Sequence, residues 1–243
     1  MTPLSFRGLK AVIFDVDGTL LDTLDIWNRV DEILSEKLGG ARRPLKEIHA
    51  FREASLARHR LEKDAYVAYC ADLASLYGSA LPAEEIHRMR YEISRKLLST
   101  EVEPKPGAGR LIAYLRQNGV RTAVATTTKR KNILAYEANP LIHGAFSFER
   151  DFDTVLTKED VDKIKPDPEV YLKALHLLGA KPSECAVIED SLTGASAAAA
   201  AGIPVIAVYE PHSAADDAKI RALSCAFVPD LDGALSLFKR SLS

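Results

Sequence analysis

An uncharged run, Ala11-Val12-Ile13-Phe14, passes abruptly into Asp15-Val16-Asp17-Gly18-Thr19-Leu20, and this passage from apolar to acidic constrains the fold more than any other stretch. A run rich in β-branched and aromatic residues and closed by a glycine has the pattern of a strand buried on both faces, as in a parallel sheet. Asp15 then stands at the carboxyl end of that strand, on the edge of an open α/β sheet where ligands bind. Two carboxylates so close repel each other, and burying either without a partner is costly, so the pair predicts a shared cation. Mg²⁺ suits such a place, because it prefers hard oxygen ligands and takes one or two carboxylates while leaving positions for water and phosphate. The competing reading is that the two acids only cap the turn made by Gly18 and Thr19; the decapeptide alone leaves both open.

The remainder of the 243 residues falls into two kinds of territory, as suits a core carrying a smaller insertion. Ile26, Val30, Ile33, Leu34 and Leu38 recur at helical spacing and stop at Gly39-Gly40; Tyr66, Tyr69, Cys70, Leu73, Leu76 and Tyr77 do so up to Gly78. Ile86, Met89, Ile93 and Leu97 follow Pro82, with Glu84 and Glu85 in the first turn and Arg95 and Lys96 expected in the last, matching the helix dipole. No strand pattern interrupts this region, which predicts a compact helical bundle. Glu103-Pro104-Lys105-Pro106-Gly107 punctuates the exit as a linker.

Beyond that linker, strand and helix signals alternate. Leu111, Ile112 and Leu115 mark a helix closed by Gly119; Arg121 to Ala125, Thr154 to Leu156, Ala186 to Ile188 and Pro204 to Val208 read as strands, the last of these being the last strong strand signal. Asp167-Pro168-Glu169 has the form of an N-cap, a first-turn proline and a first-turn acid, opening a helix that runs to Gly179. Five consecutive alanines from Ala197 to Ala201 predict a slim helix lying close on the sheet. The fold class is therefore α/β, a doubly wound, Rossmann-like parallel sheet, with core segments 1–24 and 103–243 and an all-helical cap inserted at 25–102.

Composition excludes several functions. Apolar residues at 47% support a sizeable core, and 32 basic against 34 acidic side chains are interspersed, so there is no stripe to recruit nucleic acid or an anionic membrane. Met1 to Lys10 carries no apolar signal region and no run approaches membrane-spanning length. Cys70, Cys185 and Cys225 are odd in number and have no metal-binding spacing, which fits a cytoplasmic protein. The histidines show no paired metal spacing, and the charged run Lys158 to Lys163 reads as a solvated loop.

A parallel sheet brings Asp15, Thr126, Glu189-Asp190 and the loop holding Lys165-Pro166 to one carboxyl edge. Carboxylates there suit a divalent metal, a hydroxyl and backbone amides suit phosphoryl oxygens, and a lysine balances charge. Asp15-Val16-Asp17-Gly18-Thr19, Thr126 after an apolar strand, Lys165-Pro166-Asp167-Pro168 and Glu189-Asp190-Ser191 with Gly194 together resemble the haloacid dehalogenase superfamily, in the branch with a helical cap inserted after the first strand. Within it the chain is similar to β-phosphoglucomutase-like and phosphoglycolate-phosphatase-like enzymes.

The resemblance implies that Asp15 is the nucleophile, forming an aspartyl-phosphate, and that Asp17 is general acid and then general base. It implies that Thr126 and Lys165 position the phosphoryl group, with Gly18 and Thr127 lining the substrate site. Mg²⁺ would be held by the side chains of Asp15 and Asp190, by the backbone carbonyl of Asp17 and, through water, by Glu189. An acid at Asp17 disfavours carbon–halogen hydrolysis, since the dehalogenases resembling this fold lack one there. The expected function is a Mg²⁺-dependent phosphatase of small phosphorylated metabolites, acting as a monomer, with Arg52 and Trp27 of the cap contacting substrate. Two alternatives stand beside it: a sugar-phosphate mutase, whose cap segment Arg52-Glu53-Ala54-Ser55-Leu56 resembles, and a non-catalytic binding protein on the same fold. Against the mutase, Trp27 stands where those enzymes carry a histidine, and His49-Ala50-Phe51 replaces their glycine-containing turn.

Overall fold

The computed structural model describes residues 8–40, 44–59, 61–62 and 64–242. In chain order, β1 (Ala11–Phe14) and β2 (Leu21–Asp22) precede four helices, α1 (Ile26–Lys37), α2 (Leu45–Arg58), α3 (Ala65–Tyr77) and α4 (Ala83–Thr100). Then come β3 (Glu103–Pro104), α5 (Ala108–Gln117), β4 (Arg121–Ala125), α6 (Arg130–Glu137), α7 (Pro140–Ala145) and β5 (Thr154–Leu156). The chain closes with α8 (Glu169–Leu178), β6 (Cys185–Glu189), α9 (Leu192–Ala200), β7 (Val205–Val208), α10 (Asp217–Leu223), β8 (Ala226–Val228) and α11 (Leu231–Leu242). Two compact units result, one of residues 1–22 with 102–243 and one of residues 23–101.

The first unit is built on a six-stranded parallel sheet in the order β5-β4-β1-β6-β7-β8. All four residues of β1 are fully buried, because helices cover both faces of a parallel sheet and leave no solvent side for polar alternation. On one face Ala11 and Ile13 join Val170, Tyr171 and Ala174 of α8 and Ala195, Ala197 and Ala198 of α9 in a single cluster. The alanines let α9 approach the strands closely, as the sequence suggests. β1 sits where the strand order reverses, between β4 and β6, so its carboxyl end opens at a topological switch point. Its register pairs Phe14 with Val124 and with Ile188, which sets Asp15 level with the ends of both neighbours.

Several expectations are corrected here. The Glu103–Gly107 stretch is more than a linker: Leu21 pairs with Pro104 and Asp22 with Glu103 in an antiparallel ribbon where the chain leaves and re-enters the sheet unit. Pro104 is tolerated because a two-stranded ribbon is all edge. After β7 a further short strand, β8, completes the sheet; it is too short for its period to be read. α8 begins at Glu169, one residue later than expected, with Pro168 at the cap position and Asp167 accepting the Glu169 N–H at 3.1 Å.

The second unit is a four-helix bundle whose apolar centre is Leu34, Leu38, Tyr69, Cys70, Leu73 and Ile86. α1 buries more than its apolar stripe, since Asn28, Asp31, Glu32 and Ser35 are buried too. Asp31 receives the Arg52 guanidinium at 2.8 Å and that of Arg90 at 2.6 Å. α4 runs on to Thr100, which leaves Arg95 and Lys96 short of its last turn. Among the described residues no helix is long and apolar enough to cross a membrane.

Candidate active site

Asp15 extends β1 by one residue, its N–H donating to the Ile188 carbonyl at 3.1 Å, and is 8% exposed. Lys165, from the loop before α8, reaches it: Nζ lies 2.6 Å from Asp15 Oδ1 and 2.6 Å from Glu189 Oε1, with the ammonium 4.9 Å over the Tyr171 ring. Glu189, the last residue of β6, is held from all sides. Oε1 accepts also from the Tyr171 hydroxyl at 3.0 Å; Oε2 accepts the N–H groups of Asp190 and Ser191, both at 3.1 Å, and the Ser191 hydroxyl at 3.0 Å. Asp190 takes the Thr19 hydroxyl at 2.5 Å. Gly18 has φ +89°, and a β-carbon there would lie 2.5 Å from Asp190 Oδ2, so both backbone and space require glycine.

Carboxylate oxygens of Asp15, Glu189 and Asp190 all lie within 4.8 Å of one another. Burial raises the pKa of Asp15 to about 7, Lys165 opposing this and Glu189 and Asp17 adding to it. Burial likewise pushes Asp190 well above the usual carboxylate range, with Glu189 and Asp15 adding repulsion. Burial works against the Lys165 ammonium, but Asp15 and Glu189 outweigh it and hold its pKa well above the ordinary value. When ionised, three carboxylates against one ammonium carry excess negative charge in a low-dielectric site. The all-oxygen donor set and that excess charge fit a hard divalent cation, and Glu189, with five donors on its two oxygens, is the member of the three most committed to holding its neighbours in place.

Asp17 stands in the turn after β1 and keeps its carboxylate outside this group of three. Oδ1 accepts the Tyr136 hydroxyl at 2.7 Å and Oδ2 the Thr128 hydroxyl. Thr126, 2% exposed, directly follows β4, and its hydroxyl accepts the Thr128 N–H at 3.1 Å, curling the loop in which Thr127 is exposed. Arg52 and Trp27 lie in the helical unit. Arg52 is buried and donates to Asp31 and, at 3.0 Å, to Asn28; half-buried Trp27 has the Arg90 guanidinium 5.3 Å above its ring. The guanidinium of Arg52 is thus committed within its own helical bundle.

Several residues around this arrangement are absent from the sequence reading as site residues. Thr19 adjoins Gly18 and Gly194 follows Ser191, so their motifs already hold the signal. Tyr171, Thr128 and Tyr136 are ordinary helix and loop positions until the fold places them, and α6, which carries Tyr136, leaves no clear period in the sequence.

A family model described as haloacid dehalogenase-like hydrolase matches residues 9–202. The protein CbbY of Rhodobacter capsulatus is 31% identical over 228 residues, 86% of this chain and 89% of that protein. The phosphoglycolate phosphatase of Nitrosospira multiformis is 30% identical over 239 residues, 96% of this chain and 97% of that one. The crystal structure of a CbbY mutant from Rhodobacter sphaeroides in complex with xylulose-(1,5)bisphosphate superposes with a TM-score of 0.68 at 27% identity, covering 92% of this chain and 95% of that one. The family model spans most of the chain and the relatives at 30 and 31% identity cover more than four fifths of it, so the chain belongs to the haloacid dehalogenase-like hydrolases.

Proposed function

We propose that the protein is a Mg²⁺-dependent phosphatase of small phosphomonoesters, working through an aspartyl-phosphate on Asp15. The observation that carries this is Lys165 Nζ placed 2.6 Å from both Asp15 and Glu189 at the switch point of the sheet. Nucleophile and substrate are both anions, and a buried ammonium beside the attacking carboxylate offsets their repulsion. Asp15 attacks phosphorus as the ester P–O bond breaks, and Asp17 gives its proton to the departing oxygen. A water then attacks the acyl phosphate, Asp17 takes its proton, and inorganic phosphate leaves with Asp15 restored. Thr126, with the curled loop behind it, holds phosphoryl oxygens, and Glu189 fixes Lys165. Asp15 and Asp190, with the Asp17 carbonyl, would hold Mg²⁺, which when bound supplies charge neutralisation at the phosphoryl oxygens.

The names of the relatives support phosphorylated metabolites as the substrate class, and the free cysteines Cys70, Cys185 and Cys225 agree with a reducing cytoplasm. The test is phosphate release from a mixed panel of phosphomonoesters, with and without Mg²⁺, by wild type and Asp15→Asn. Turnover by the wild type with Mg²⁺ alone is expected. No turnover anywhere, or a wild-type rate in the variant, overturns the reading.

A further inference from the structure

Four phenylalanines and one tyrosine form a wall behind the site. Phe14 meets Phe152 at 6.0 Å between ring centroids, Phe152 meets Phe146 at 6.0 Å and Phe148 at 5.8 Å, and Phe148 meets Tyr136 at 6.5 Å. Tyr136 is fully buried, so its ring packs as a phenylalanine would; the one polar atom it adds to this wall lies 2.7 Å from Asp17 Oδ1. A buried hydroxyl left unpaired is costly, and donation to a carboxylate is among the stronger hydrogen bonds. The ring has little freedom to move. The next residue, Glu137, accepts the Ser147 hydroxyl at 2.7 Å and the Phe148 N–H at 2.6 Å, tying α6 to the segment that carries the wall. At the far end of the wall, Phe14 directly precedes Asp15.

We propose that Tyr136 is a positioning residue that fixes the Asp17 carboxylate for proton transfer, a role that rests on Asp17 being the acid and base of phosphoryl transfer. Asp17 is half-buried in a turn, where a short carboxylate would otherwise sample several rotamers. Tyr136 holds one oxygen and Thr128 the other, and Thr128 belongs to the loop that Thr126 begins. The acid is thereby fastened to the phosphate loop on one side and, through the aromatic wall, to the nucleophile's strand on the other. Tyr136 loses no proton in either step. Asp17 alone gives one to the ester oxygen and takes one from water, and orientation is what the phenol supplies.

The test is Tyr136→Phe, which keeps the ring and removes the donor. The measurement is kcat/KM, which reports phosphoryl transfer to Asp15, on an alkyl phosphomonoester and on p-nitrophenyl phosphate. An alkoxide needs a proton to leave and a nitrophenolate does not. The alkyl ester is expected to lose about tenfold, at least five times more than the aryl ester. Repeated in an Asp17→Asn background, the substitution is expected to cost nothing further. Equal losses on both esters, or a full loss in the Asp17→Asn background, assign Tyr136 a purely structural role and overturn the proposal. An NMR measurement on the unsubstituted ring guards against a misfolded variant: the Tyr136 hydroxyl proton is expected downfield and slow to exchange, and to lose both properties in Asp17→Ala. A signal indifferent to Asp17 also overturns the proposal. Full activity of Asp15→Asn or Asp17→Asn on the alkyl ester instead defeats the phosphatase mechanism itself, whatever Tyr136 does.

Discussion

Gly194, on the first turn of α9, lies so close to Glu189 that a β-carbon on it would sit 1.6 Å from Glu189 Oε1 and 1.9 Å from the carboxyl carbon. Alanine ordinarily favours a helix over glycine by about 1 kcal/mol, but here it meets a carboxylate held by five donors. Gly194→Ala is therefore expected to displace Glu189, release Lys165 and lower kcat/KM by about tenfold or more, with a fall in Tm. Gly144 in α7 meets nothing within 4 Å, and Gly144→Ala is the control expected to change neither. Thermal unfolding and kinetics on the pair check this; matching behaviour of the two variants would contradict the packing.

Lys165 and Lys158 lie seven positions apart, yet one is 7% exposed between two carboxylates and the other is on the surface. In the proposed mechanism, Lys165→Ala removes the cation that offsets repulsion between Asp15 and a phosphate dianion. A loss of about a hundredfold in kcat/KM is expected, the scale of one preorganised electrostatic contact. Lys158→Ala is expected to stay near wild type. Similar losses at both positions would refute the placement of Lys165.

Burial raises the Asp15 pKa from the ordinary 3.8 to about 7. A carboxyl whose folded pKa exceeds its unfolded value favours the folded state when protonated, so this group's contribution to stability falls as pH rises from the unfolded to the folded pKa. A divalent cation reverses the penalty only after the proton has gone. The rise in Tm on adding Mg²⁺ is therefore expected to be larger at about pH 7.5 than at about pH 5.5, and lost with excess chelator. A Tm gain independent of pH across that window would count against a metal bound by Asp15.

The sheet was legible because buried parallel strands read as apolar runs: β1, β4, β6 and β7 announce themselves, and the acids and threonine at the ends of β1, β4 and β6 fall on one edge once the strands are parallel. β8 and α2 were not legible, the first because three residues hold no period, the second because its apolar residues are not gathered on one face. At the site, Asp15, Glu189 and Asp190 could be named from sequence because carboxylates are unusual at the end of a buried strand, and Lys165 through the family motif that Lys165-Pro166 resembles. Tyr136 could not, since a tyrosine among phenylalanines is an ordinary core residue until its hydroxyl is seen to reach Asp17. In the helical unit, Asp31 escaped for the opposite reason: an acid on α1 reads as solvated surface, and only the fold shows it fully buried between Arg52 and Arg90.

That buried trio carries its own expectation. Asp31 Oδ1 and Oδ2 accept from Arg90 at 2.6 and 3.2 Å, and Oδ2 also from Arg52 at 2.8 Å. Asp31→Ala leaves two guanidiniums buried without their shared carboxylate, and is expected to destabilise the protein by about 3–5 kcal/mol. Arg52→Ala leaves Asp31 still paired with Arg90 and is expected to cost less. Urea unfolding followed by circular dichroism ranks the two; the reverse order would show that Arg52, and not Asp31, holds the helices together.

The remaining expectation separates hydrolysis from isomerisation. A mutase must keep water from the aspartyl-phosphate until a substrate hydroxyl is presented, which demands a group able to relay a proton and a dry site. At Trp27 the chain has an indole where the mutases it resembles carry a histidine, and an indole N–H donates but cannot accept, so it relays no proton. Arg52 matches their cap segment in sequence, but its guanidinium is engaged by Asp31 and Asn28. Incubated with hexose 1-phosphates and Mg²⁺, the enzyme is expected to release inorganic phosphate with little isomerised sugar phosphate. Trp27→Ala is expected to shift KM and substrate preference several-fold while changing the rate on a small generic phosphomonoester less. Following both products together decides the matter: isomer formed well in excess of phosphate would replace the phosphatase with a mutase, and would require some side chain other than Trp27 to carry the proton.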